Sequence, residues 1–353
     1  MPRSFVLRAG PLARQQIAAD GLTPDSLAAF GAPAGGPKFL IITGLDSFLF
    51  GDWLSRRRMP LPAFGSSIGA FRLVAGAHRD PKAAFDRLIR SYSAQRYESK
   101  PDAREVTRQV DTILHAMLDP ADLDHVLSHP WLQLNLITTR CRGLAASRHT
   151  GAQMAGFALA FLSNLRHRDH MASRFERSVF HTGPMPLLTP RDAFRTHVHT
   201  LTRDNLASVT LASGTIPLLM ETVRDIPGSP PGAHIDGGMI DYHMDLPLDG
   251  QHDGIVFVPH YEQRVVPGWF DKGLKRRRPR HGDRLLVLSP APALVASLPG
   301  GKIPCRQDFK RYHQRDRERE AAWATARAAS EEIAKEFADL LQRGDVASVL
   351  QPL

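Results

Sequence analysis

Apolar positions along the chain switch repeatedly between the strand period and the helix period. Residues 25–50, DSLAAFGAPAGGPKFLIITGLDSFLF, read as a short strand, a Gly/Pro turn and a helix. Pro37 suits the first helical position, where the N–H it lacks would have no intrahelical partner. LPAFGSSIGAFRLVAGAHRD reads as strand, sharp turn and helix, with Asp80-Pro81 as the stop. Residues 82–128 carry helical spacing, with Leu88 and Tyr92 first and Val110, Ile113 and Met117 later. LQLNLITTR at 132–140 is strand-like, and about 145–175 reads as a helical insertion whose apolar stretch around Ala155–Leu165 suits core, a lid or a dimer contact. Short strands are expected at Arg177–His181, near Arg195–Thr200, at Gly254–Pro259 and at Arg284–Ser289. About Asp308 to Gly344 reads as one long charged helical extension with Ile333, Phe337, Leu340 and Leu341 on one face. Alternating strands and helices predict an α/β fold, a mostly parallel sheet covered on both sides, in a single domain over 1–353.

Composition narrows this picture without deciding it. Hydrophobic residues make up 42% of the 353, ordinary for a globular enzyme and far from a disordered chain. The two cysteines, Cys141 and Cys305, form no C-x-x-C pair, so neither a disulfide framework nor a zinc site is expected. No apolar run reaches the roughly 20 residues of a spanning helix, and FVL near the N-terminus is too short for a secretory signal. A cytoplasmic protein, peripheral to membranes at most, is the expectation. The net charge of +9 favours anionic partners.

Three short motifs carry the chemistry. Gly65-Ser66-Ser67-Ile68-Gly69 matches G-x-S-x-G, in which a serine stands on a strained strand-to-helix turn with a helix N-terminus behind it. Gly35-Gly36-Pro37-Lys38 lies between another strand and helix. Backbone N–H groups of Gly35, Gly36 and Lys38, with that of Ile68, can converge on an oxyanion, whereas Pro37 has none to give. The phosphate-loop pattern G-x-x-x-x-G-K-[ST] is absent. Asp236-Gly237-Gly238 can end a strand with its carboxylate aimed at Ser67, as a base without an intervening histidine. Read singly, the glycine motifs are also plain turns.

Taken in order, G-G-x-K opening a helix, G-x-S-x-G some thirty residues later, and the distal D-G-G resemble the patatin-like phospholipase family. Ala212-Ser213-Gly214-Thr215-Ile216-Pro217 and Asp245-Leu246-Pro247 agree with it, so the likeness covers roughly residues 25 to 260. The resemblance implies a three-layer α/β/α fold and hydrolysis of lipid carboxylic esters through a Ser–Asp dyad. Ser67 would be the nucleophile, Asp236 the base, and Gly35, Gly36 and Lys38 the oxyanion turn, with no cofactor and no metal. Where the family usually has further glycines this chain has Ala34 and Phe39, which leaves the shape of the oxyanion hole open.

Other features have two readings each. In PGWFDKGLKRRRPR, residues 267–280, Trp269 and Phe270 could enter a lipid headgroup layer while Lys272, Lys275, Arg276, Arg277 and Arg278 meet anionic lipid. The same segment also reads as a solvated basic loop anchored by a buried Trp. No nucleic-acid-binding fold accompanies the charge. His243 and His260 raise a Ser–Asp–His triad as a variant, and His167 and His170 suit a solvated helix end. The functional expectation is thus a lipid acyl hydrolase, with acyl transfer, small-ester hydrolysis and a non-catalytic lipid-surface adaptor as alternatives.

Overall fold

A single eleven-stranded sheet runs through the computed structural model, which describes residues 3–97, 100–183, 192–246 and 254–353. In chain order the strands are β1 (Phe5–Ala9), β2 (Leu27–Ala32), β3 (Leu61–Ser66), β4 (Leu132–Cys141), β5 (Phe175–His181) and β6 (Thr196–Thr200). There follow β7 (Val223–Arg224), β8 (Ala233–Asp236), β9 (Ile255–Pro259), β10 (Leu285–Pro290) and β11 (Leu350–Pro352). The order across the sheet is β11-β1-β10-β9-β2-β3-β4-β5-β6, with β8 also on β4 and β7 on β8.

The centre, β10-β9-β2-β3-β4, is parallel throughout. Antiparallel pairs appear where β1 meets β10 and where β4 meets β5 and β8. Near-continuous apolar strands such as Leu285–Pro290, buried at every position, suit a sheet covered on both faces.

Alternate residues along each strand separate two apolar layers. Leu61, Ala63, Leu134, Leu136, Phe257 and Leu286 face the large core with the helices Pro11–Asp20, Ile68–Gly76, Pro81–Ser93 and Asp316–Arg343. Phe64, Ile137, Val179 and Val258 face smaller clusters roofed by Met239–Leu246, Val265–Phe270 and the helix Thr150–Arg166. The result is a three-layer α/β/α arrangement on a mostly parallel sheet.

Several expectations change in detail. Asp80 does not merely stop a helix; its side chain accepts the Ala83 N–H and caps the next helix, Pro81–Ser93. The charged C-terminal segment is broken: Asp308–Arg311 is one turn, and the long helix starts at Asp316, after Gln314 with φ 61°. That helix buries Trp323, Ile333, Phe337 and Leu340, and β11 beyond it pairs with β1, so the segment is part of the core and not an appendage. β1 itself, read from sequence only as a run too short for a leader, is a buried strand beside β10. The helical insertion lies between the antiparallel β4 and β5 as Thr150–Arg166 with short 3₁₀ turns on either side. Among the described residues no helix is long and apolar enough to cross a membrane.

Candidate active site

β4 is long enough to be flanked on one edge by two strands meeting head to head. β3 runs parallel along its first half, with Ser66 opposite Ile137. β8 runs antiparallel along its second half, with Asp236 opposite Thr138. The C-terminal ends of β3 and β8 therefore meet at consecutive positions of β4, and the residues that leave them, Ser67 and Asp236, are brought together. The Ser67 hydroxyl donates to Asp236 Oδ2 at 2.7 Å, and both side chains are almost wholly buried.

Ser67 has φ 55° and ψ −133°, a conformation that side-chain-bearing residues seldom adopt and that costs about 1–3 kcal/mol. Surrounding contacts hold it there. Its N–H donates to Ser213 Oγ at 3.0 Å, and Ser213 in turn donates to the Ile137 carbonyl at 2.7 Å. Ser66 Oγ donates to the Asp241 carbonyl at 2.7 Å. Gly69 must be glycine, because a Cβ there would lie 1.9 Å from the Ala32 carbonyl oxygen. The helix Ile68–Gly76 is buried along its whole length, with Arg72 bonded to both oxygens of Asp46 at 2.7 Å each. A fixed helix N-terminus thus stands directly behind the serine, presenting the Ile68 N–H and the positive end of the dipole.

Asp236 is held on its other side. Its Oδ1 accepts the Gly238 N–H at 2.8 Å, and its own N–H donates to the Thr215 carbonyl at 2.8 Å. Burial pushes its carboxyl above the ordinary value of 3.8; the Ser67 hydroxyl, Arg306, the Gly238 N–H and Lys272 pull the other way without reversing the shift. A carboxylate with a raised pKa is a better proton acceptor for a hydroxyl.

The Gly35–Lys38 turn opens a 3₁₀ helix, Gly36–Ile42, that leads on into Thr43–Phe48. Gly36 has φ 56°, which its lack of a side chain permits. Helix geometry leaves the Gly35 and Gly36 N–H groups without intrahelical acceptors, whereas the i→i+3 pattern turns the Lys38 N–H back towards the helix start. Gly35 and Gly36 are therefore better placed as oxyanion donors than Lys38. The Lys38 ammonium instead pairs with Glu262 and lies 4.9 Å from the Tyr261 ring centre.

Comparison with protein-family models and with curated proteins gives no match to this chain. The assignment of function therefore depends on the site itself.

At the two positions where glycine was expected, Phe39 is fully buried edge-on to Tyr92 at 5.2 Å, and Ala34 is buried beside Tyr242 and Val266. His243 and His260 do not join the dyad. His243 Nδ1 accepts the Val266 N–H and its Nε2 meets the Tyr261 hydroxyl, each at 3.0 Å, while His260 Nδ1 accepts the Glu262 N–H at 2.7 Å. Burial and neighbouring charge hold both rings well below the usual histidine range. Asp245 accepts the N–H groups of Arg280 and His281 and so pins the basic segment; Pro247 lies outside the described residues.

That basic segment divides. Trp269 and Phe270 are half-buried, Phe270 packing against Phe161 at 5.4 Å. Arg276 and Arg277 donate to the Leu165 and Asn164 carbonyls, so they cap the helix Thr150–Arg166 and are not simply free lipid contacts. Lys275 and Arg278 are exposed. Lys272 is exposed as well, yet its ammonium lies over the aromatic rings beside the site, 4.2 Å from the Tyr242 ring centre and 5.1 Å from that of Trp269. The apolar insertion helix is not core throughout, since Met154, Leu159, Phe161 and Leu162 are exposed. Sequence reasoning missed the role of Ser213, although its motif was noticed, and it missed Arg306, which no local pattern marks.

Proposed function

We propose that this protein is a patatin-like serine acyl hydrolase that cleaves lipid carboxylic esters through the Ser67–Asp236 dyad. The observation that carries the reading is the 2.7 Å hydrogen bond from a strained, buried Ser67 directly to a carboxylate whose affinity for protons burial has raised.

In the first half-reaction Ser67 Oγ attacks the ester carbonyl carbon as its proton passes to Asp236. The oxyanion faces the Gly35 and Gly36 N–H groups and that of Ile68, fixed donors in a water-poor site. Collapse breaks the carbon–oxygen bond, and the departing alkoxide takes the proton from Asp236. In the second half-reaction Asp236 removes a proton from water, the hydroxide attacks the acyl-serine, and Ser67 regains its proton as the acid departs.

The exposed apolar face Met154, Leu159, Phe161 and Leu162, with Lys275 and Arg278 nearby in the adjoining segment, suits contact with an anionic lipid surface. Phe161→Ser should therefore lower turnover of vesicle-borne ester while sparing a monomeric one, and equal turnover on both would rule out a role for this surface.

Release of p-nitrophenol from short and long acyl esters by wild type, Ser67→Ala and Asp236→Asn tests the chemistry. Turnover confined to wild type is the expected result. Activity retained in Ser67→Ala, or no turnover of any ester by wild type, would favour a lipid-binding adaptor with an idle site.

A further inference from the structure

Among the described residues, two cations beside the dyad have no ion-pair partner. The Arg306 guanidinium lies against the oxyanion turn, so close that a Cβ on Gly36 would come within 3.1 Å of its Nε, and it lies 5.6 Å from the Trp269 ring centre. Lys272 stacks its ammonium over Tyr242, whose ring lies against Gly238: a Cβ there would be 3.1 Å from Tyr242 Cδ2 and 3.0 Å from Asp236 Oδ1. One cation thus flanks the oxyanion turn and the other flanks the base. Among the described residues neither side-chain head makes a hydrogen bond with protein.

Several other cations of this chain have partners within the protein. Arg57 donates to four backbone carbonyls, Arg72 grips Asp46, and Arg177 is shared by Asp192 and Asp241. Even Lys38, in the same cluster, has Glu262. Desolvation, then repulsion from Arg306 and Lys38, brings the Lys272 ammonium down to about 8, with Asp236 and Glu262 pulling the other way. Two cations held close, with no protein acceptor between them among the described residues, attract an anion that can bridge both.

We propose that Lys272 and Arg306 form an anion-binding subsite beside Ser67, so that the ester this site takes carries a negatively charged oxyacid group, phosphate or carboxylate. The substrate part of this inference rests on the acyl-hydrolase reading; anion binding itself does not. Arg306 offers a planar fork suited to two oxygens, and Lys272 adds a mobile point charge. Trp269 backs both cations, and Tyr242 backs Lys272.

The test compares two monomeric esters with the same acyl chains, dihexanoyl phosphatidic acid and the neutral dihexanoylglycerol. Wild type should prefer the phosphate-bearing ester by about tenfold or more in kcat/KM, the worth of one charge-assisted hydrogen bond. That ratio should fall towards unity in Arg306→Gln, fall less in Lys272→Met, and recover in part in Arg306→Lys, which also shows that loss does not come from misfolding. A wild-type ratio near one, or a ratio that both neutralising variants leave intact, overturns the subsite. Titration of Ser67→Ala with inorganic phosphate, followed by NMR, separates the two ideas. Saturable binding that disappears on adding Arg306→Gln supports the subsite even if no ester is turned over, in which case only the hydrolase reading falls. Absence of phosphate binding together with indifference to ester charge rejects the subsite while leaving hydrolysis standing. Should phosphate bind while the phosphate ester gains no preference, the site recognises a free anion and not a substrate headgroup, which also overturns the proposal.

Discussion

Asp236 and Asp241 are both buried in the segment that leaves β8, and their partners differ in kind. Asp241 receives Arg177 through two hydrogen bonds of 2.6 and 2.9 Å, and the same guanidinium donates to Asp192 at 2.6 Å. Burial acts to raise the Asp192 pKa, yet the hydrogen bonds and charge of Arg177, with Arg168, outweigh it and hold the carboxyl below its ordinary value. Among the described residues, Asp236 has only a serine hydroxyl and one backbone N–H within hydrogen-bond reach, and its carboxyl is shifted the other way. A buried carboxylate gripped by arginine is spent on structure, while one facing a hydroxyl keeps its appetite for a proton. The second arrangement, tolerated at a cost in stability, is what a general base needs.

The comparison breaks most plainly if the two aspartates respond alike to substitution. Asp236→Asn should reduce ester turnover by at least about a thousandfold, as should Ser67→Ala, and the double variant should be no worse than either, because a nucleophile and its base act as a unit. The raised pKa means that the native state binds the Asp236 proton more tightly than the unfolded chain. Its stabilising contribution is therefore complete below the ordinary value of 3.8 and is lost as pH rises through the native value, leaving an unfavourable charge at neutral pH. Asp236→Asn should accordingly leave the Tm unchanged or higher. Asp241→Asn should do the reverse: removing one partner of a buried pair costs about 3–5 kcal/mol, readable as a lower urea midpoint.

A smaller effect tests the frame around the nucleophile. Ser213→Ala strands the Ser67 N–H and the Ile137 carbonyl, at a cost of about 1–3 kcal/mol. The expected outcome is a modest loss of stability with a larger loss of kcat, since the serine's strained geometry loses its tether; an unchanged kcat would show that Gly69 and the buried helix hold the elbow alone. Smallest is the pH response. With Asp236 as the proposed base, its ionised form is the active one, so the acid limb of kcat/KM should lie above 3.8, and Arg306→Gln should move it further up because that cation favours the charged form. A limb at or below 3.8 would place the base elsewhere.

Much of this was legible in the chain because local chemistry enforces it. Apolar alternation at Leu61–Phe64 followed by G-S-S-I-G specifies a strand and an elbow, and most of the longer strands fell where β-branched and apolar residues cluster. Short or unusually paired strands escaped notice: β1 has five residues and pairs with β10 at the far end of the chain, while β7 has only two and pairs with its neighbour β8. The motifs raise the expectation that Ser67 meets Asp236, but the meeting itself depends on β3 and β8 sharing one edge of β4, which no local pattern encodes. Lys272 looked like part of a surface charge run, and its place beside the dyad depends on tertiary packing that a basic tract does not specify. Arg306 stands at the head of a charged run, RQDFKRYHQRDRERE, that reads as a solvated helix face, and nothing local sets it apart from the other cations there.

The most direct measurement is covalent capture of the nucleophile. Incubation with an alkyl fluorophosphonate, followed by intact mass and peptide mapping, should give one adduct per chain on Ser67. Labelling should be much slower in Asp236→Asn and absent in Ser67→Ala, because only a serine activated by a neighbouring base attacks phosphorus readily. An unlabelled wild-type protein, or an adduct on another residue with Ser67 untouched, would contradict the dyad.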